Sequence, residues 1–171
     1  MMSIAEALEE YFKQENWKYQ KIDDNSFTFS LKSGTYTYGF VARIDEKNNL
    51  LMVHATLPII APREKLPMVA EFLNRVNYSM PHGNFILDFD DGEVCNKQSF
   101  DFMDYLVKSD VIDRIIINSF IGANIFIPYL EELIDGDMTP KQAYEKAMNN
   151  LTKEVEKIRK LEIVYEDLRS N

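Results

Sequence analysis

The residues best suited to chemistry in this chain are His54, His82 and Cys95, its two histidines and its one cysteine. Zinc sites gather three or four His, Cys or acidic ligands. Two histidines far apart in sequence and one cysteine do not supply that by local spacing, and His82 lies in a Pro-His-Gly turn. A nucleophilic cysteine needs a base within hydrogen-bond reach. Cys95 enters an extended stretch after a turn, where a free thiol ordinarily serves as a small buried side chain, although His54 could approach it across a sheet. Asp88, Asp90, Asp91, Gly92 and Glu93 invite a calcium reading, but the twelfth position of such a loop falls on Ser99, not on a bidentate glutamate. Asp91-Gly92 has a sufficient reason in a tight turn, which demands positive φ. Glu9-Glu10, Asp23-Asp24 and Glu131-Glu132 are adjacent acids, and helical neighbours point to different faces. No glycine-rich phosphate loop, dinucleotide fingerprint or nucleophile elbow is present. The expectation is a non-enzyme with no metal and no cofactor.

Composition narrows the partners. The net charge is −9, from 28 acidic and 19 basic residues. Nucleic-acid binding draws on Lys and Arg neutralising phosphates, and anionic membranes attract the same residues, so both partners are disfavoured. A lone cysteine allows no internal disulfide and fits a reducing, cytoplasmic setting. The N-terminal stretch MMSIAEALEEYF carries acids where a secretory leader has a basic region. Residues 115–130 carry no charge but are interrupted by Asn118, Gly122, Asn124 and Pro128 and fall short of the ~20 residues a bilayer needs. They read as a buried helix.

The elements follow from periodicity. Ser3 and Glu6 form a capping box that starts a helix with Ile4, Leu8, Tyr11 and Phe12 on one face. Trp17 and Tyr19 lead into an extended region. Phe27, Phe29 and Leu31 alternate with polar residues, as do Tyr36, Tyr38, Phe40, Ala42 and Ile44, and a third strand covers 50–57. Links this short predict an antiparallel meander. Pro58 and Pro62 are expected to end it, with Pro62 opening a helix whose stripe is Leu66, Val69, Ala70, Leu73 and Val76. Phe85, Leu87 and Phe89 then form one arm of a hairpin and residues 93–101 the other. A long helix begins at Ser109 and stops at Gly136, and Thr139, Pro140 and Gln142 start the last one. The fold class is α+β, in the order α-βββ-α-ββ-α-α.

One helix face stands out. Ile117, Ile121, Ile125 and Pro128 lie opposite the core stripe of the long helix, where a surface helix should be polar. It is therefore sandwiched, either beneath the last helix or against another chain. The last helix continues with Leu161, Val164 and Leu168, and a broken heptad runs through Leu151, Ile158 and Tyr165.

The stretch REKLPMVAEFLNRVNYSMPHGNFILDFDDGEV, residues 63–94, sharpens the reading. Its Phe72-Leu73-Asn74 with Asn77, then Gly83, a strand and Asp91-Gly92-Glu93, resembles the YbjN-like family of bacterial proteins. Asp135-Gly136 and Pro140-x-x-Ala143 resemble it too. The resemblance spans roughly residues 3–148, giving a domain over 1–148 and a C-terminal helical extension over 149–171. The arm after Gly92, reading VCNKQSF, departs from it. The resemblance implies a type III secretion chaperone-like fold, a homodimer and a protein-binding or regulatory role, with no catalytic residue to transfer. The expected client is a polypeptide, held by the sheet and an edge strand. Tyr36, Tyr38 and Phe40, or the Thr35 and Thr37 side, are the candidate sheet contacts, and Ile117, Ile121 and Ile125 the candidate partner face. The alternative is a small-molecule-sensing or enzymatic domain whose pocket residues are scattered along the chain.

Overall fold

The computed structural model describes residues 2–103, 107–151 and 153. Helix α1 covers Ile4–Gln14. Its capping box is formed as the sequence predicts, with the Ser3 amide donating to Glu6 Oε2 at 2.8 Å and the Glu6 amide to Ser3 Oγ at 3.2 Å. Six strands follow in two groups: β1 Tyr19–Asp23, β2 Ser26–Ser33, β3 Tyr36–Asp45 and β4 Leu50–Ile60, then β5 Asn84–Leu87 and β6 Glu93–Asp101. They form one antiparallel sheet in the order β1-β2-β3-β4-β6-β5. Between the groups lie a single 3-10 turn, Arg63–Lys65, and helix α2, Leu66–Ser79. Helix α3 covers Ser109–Asp135, and α4 occupies 140–151. The α+β architecture is the expected one.

Four details differ from the sequence expectation. The extended region after Trp17 is itself a strand, β1, so the meander has four members. Strand β4 continues past Pro58 to Ile60. Proline removes a ladder donor and is tolerated where pairing is interrupted, and the β4–β6 register shifts between Thr56 and Ile60. Pro62 is extended, at ψ 148°, and only precedes the 3-10 turn; α2 begins at Leu66 with Pro67 in its first turn, where the missing N–H costs no helical bond. The hairpin arm stops at Leu87, which leaves Phe89 exposed in the turn.

Helices α1, α2 and α3 pack on one sheet face. Phe12 of α1 stacks on Tyr19 and meets Phe27 and Phe29. Phe120 of α3 stands edge-on to Tyr38 and near Phe40, and α2 lies against β5 and α3. Helix α3 is long and apolar enough to cross a membrane by length and composition, yet Ile112, Ile116, Ala123, Ile127 and Leu130 are wholly buried here. It is the core helix. α4 opens on a second capping box, with the Gln142 amide donating to Thr139 Oγ1 at 3.3 Å and the Thr139 amide to Gln142 Oε1 at 2.9 Å. Ala143 and Ala147 bury its inner face. The heptad positions beyond Leu151, and most of the extension expected over 149–171, lie outside the described residues.

Candidate functional site

The sheet has one covered face and, among the described residues, one uncovered. Register sets the composition of the second. Gln20, Thr28, Val41, His54, Lys97 and Asn84 are successive cross-strand partners, one from each of the six strands. Beside them run Ser30, Gly39, Thr56, Cys95 and Ile86, and on the other side Ser26, Arg43, Met52 and Ser99. Side chains alternate faces along a strand, so all of these share the open side. The surface is mildly apolar at its centre, with Val41, Met52 and Thr56 half-buried. Arg43, Lys97 and Lys32 lie on it, and by the same alternation so do Asp45, Glu93 and Asp101, so it carries both signs of charge.

The two sheet edges differ. At the β5 edge, Asn77 of α2 donates through Nδ2 to the Phe85 carbonyl at 2.9 Å and accepts the Phe85 amide at 2.6 Å. One side-chain amide thus occupies the backbone groups an added strand would need. This gives Asn77, part of the family-like stretch, a physical role. Asn77→Ala leaves a half-buried donor and acceptor unmade, and should lower stability by about 1–3 kcal/mol in denaturant melts. At the other end, among the described residues, β1 pairs only with β2, and four of its five residues are exposed. Beside it Lys18, Gln20, Thr28 and Ser30 help line a shallow depression of about 530 Å³. Unprotected edges are templates for strand pairing.

The candidate contacts fall on both sides of this surface. Tyr38 and Phe40 are wholly buried beneath α3, and Tyr36 is half-buried. Tyr36 donates to Glu131 Oε2 at 2.6 Å, a bond that with burial pushes its hydroxyl up to about 12. Those three therefore belong to the covered face, and the Thr37 side is the outward one. Ile125 is buried, while Ile117 and Ile121 are partly covered. Ile121 and Ile125 line a pocket of about 300 Å³ together with Val76 and Met80 at the end of α2 and Met148 and Leu151 of α4. Much of the second apolar face of α3 thus meets α2 and α4 of the same chain.

His54 and Cys95 sit diagonally on the open face. Cys95 Sγ lies 3.3 Å from Thr56 Oγ1 and donates to Glu93 Oε1 at 3.2 Å. Burial pushes this thiol up to about 12, far from the thiolate a nucleophile needs. His54 is held below its ordinary value of 6.5, first by burial and then by Lys97 and Arg43. A group whose folded pKa is depressed contributes stability above its unfolded value, lost as pH falls through the folded one. Acidification below about pH 6.5 should therefore lower the unfolding midpoint, and His54→Gln should flatten that slope in a thermal-melt series. The acids of the β5–β6 turn serve the turn: Asp88 accepts from the Asp90 amide at 2.8 Å and Asp91 from the Glu93 amide at 2.9 Å.

Strand β6 holds residues that sequence reasoning passed over. Asn96 and Gln98 point to the covered face and are buried. Gln98 Nε2 donates to Asn96 Oδ1 at 3.5 Å, and Asn96 Nδ2 has no hydrogen-bond partner among the described residues. An unsatisfied buried amide costs about 1–3 kcal/mol. Two amides in the register of Val94 were a readable signal of a polar inclusion in the core.

Residues 5–132 match the sequence profile of the YbjN family, described as "Putative bacterial sensory transduction regulator". The match stops short of Asp135-Gly136 and Pro140-x-x-Ala143. No curated protein is detectably similar to the chain. Among solved structures, YbjN from E. coli is similar at 14% identity and TM-score 0.51, with 88% of this chain and 95% of that one covered. The ExsC–ExsE complex is similar at 14% identity and TM-score 0.52, covering 72% and 90%. The HopA1–SchA chaperone–effector complex matches at 14% identity and TM-score 0.45, over 69% and 88%. At such identities the likeness is one of fold.

Proposed function

The chain belongs to the YbjN family, and from that premise we propose that it is a cytoplasmic, non-enzymatic protein-binding module, a chaperone-like or regulatory adaptor that holds a client polypeptide. The observation that carries the reading is the asymmetry of the sheet. One edge is closed by Asn77, the other is free at β1 among the described residues, and that edge borders an uncovered face. An extended client segment added beside β1 gains main-chain hydrogen bonds, and side chains on the open face select it. The fold likeness to ExsC, solved in complex with ExsE, is consistent with this use of the scaffold.

The test is recovery of a tagged copy from its native host by gentle lysis. A near-stoichiometric polypeptide partner supports the reading; a well-behaved bait recovered alone contradicts it. Self-association is the finer part of the proposal. The contact is assigned to the outer face of α3 at Ile117 and Ile121, which remain partly exposed among the described residues. Ile121→Glu should convert a dimer to a monomer by light scattering. An unchanged molar mass removes that contact from the account.

A further inference from the structure

Independently of client binding, we propose that the half-open pocket between α2, α3 and α4 takes a small uncharged organic molecule with an apolar body and an amide-like head. Its volume of about 300 Å³ is that of a small-ligand site, which characteristically combines apolar walls with a few convergent polar groups. The walls include Met80, Ile121, Phe126 and Met148, and the polar groups include Gln98, Asn118 and Ser79, the last bonded to the Tyr144 hydroxyl, with His82 exposed at the rim.

The polar end is built into the fold. Gln98 is only 7% exposed. Its single hydrogen bond among the described residues is the 3.5 Å one to Asn96, so its carbonyl oxygen is unclaimed. The Pro-His-Gly turn closes over it: a Cβ on Gly83, at φ +66°, would lie 2.2 Å from Gln98 Nε2. Behind it, Asn96 Nδ2 has no partner among the described residues, and a Cβ on Gly122 would stand 3.0 Å from that nitrogen. Two glycines therefore let backbone approach an amide pair that offers more donors and acceptors than the protein uses. A core has no use for such a surplus, because unmade buried bonds are destabilising.

The head group follows from this chemistry. A carboxamide or lactam presents one donor and one acceptor side by side and can form two bonds with the Gln98 amide. Among the described residues no Asp, Glu, Lys or Arg lines the pocket, so an ammonium or sulfonate head would surrender its water without a counter-charge from them. The apolar walls would receive an alkyl or aryl body.

The probe is octanamide, titrated into the full chain and followed by ¹H–¹⁵N correlation spectra, beside octylamine and sodium octanesulfonate. The expected result is saturable shifts clustered at the end of α2, in β6 and on the outer face of α3, with octanamide at least about tenfold tighter than either charged probe. Met148→Trp, at a half-buried position, should fill the pocket and abolish those shifts while leaving the circular dichroism of the parent. Absence of saturable shifts, equal affinity for all three probes, or octanamide binding that survives Met148→Trp each overturns the assignment.

Discussion

Phe12→Ala is expected to lower unfolding stability by about 3–5 kcal/mol, a fall in melting midpoint of roughly 10 °C for a chain of this size. Phe12 is wholly buried and stands at the centre of an aromatic cluster that joins α1 to the sheet. Its ring centroid lies 4.8 Å from Tyr19, 5.0 Å from Phe29, 6.2 Å from Phe27 and 6.3 Å from Trp17. Truncation removes contacts to all four, and large rings on a sheet cannot collapse into the void. Because Tyr19 belongs to β1, the loss should also loosen the strand with the free edge. Tyr78→Ala is the control. Tyr78 is 92% exposed and its removal should stay within about 0.5 kcal/mol. Equal effects of the two substitutions would refute the placement of α1.

The second large effect is on binding. Val41→Glu combined with Thr56→Glu is expected to weaken client retention at least about tenfold with little change in the melting midpoint. Both positions lie on the open face and neither belongs to the buried core. Two added carboxylates between Arg43 and Lys97 would cancel their charge and set a desolvation cost against an extended segment lying there. A double variant that keeps its partner at parental levels would show that the client does not use this face.

Much of this was legible in the sequence, for identifiable reasons. Capping boxes at Ser3 and Thr139, the alternation of Phe27, Phe29, Tyr38 and Phe40, and the apolar run of α3 are local signals, and each produced the element it announced. Strand β1 was not announced, because Tyr19–Asp23 is an exposed edge and carries no apolar alternation. Its pairing is set by β2, a tertiary fact. Alternation showed that Tyr36, Tyr38 and Phe40 share a face, but which face is buried depends on where α3 lies. The second apolar face of α3 had an equally non-local cause, the packing of α2 and α4 around Ile121 and Ile125. Pro58 misled because proline is read as a strand end, whereas a shift in register lets β4 carry it. Asn77 was visible as part of a family-like stretch, yet its closure of the β5 edge needed the distance to Phe85.

The most direct test of client binding at the free edge is site-specific photocrosslinking in the native host, with a benzophenone side chain placed in turn at Gln20, Thr37 and Glu71. Gln20 lies on β1 and Thr37 on the open face, while Glu71 is an exposed position on α2. The account predicts a common polypeptide adduct from Gln20 and Thr37 and none of it from Glu71. Adducts from Glu71 alone would place the client on the helical side and contradict the account.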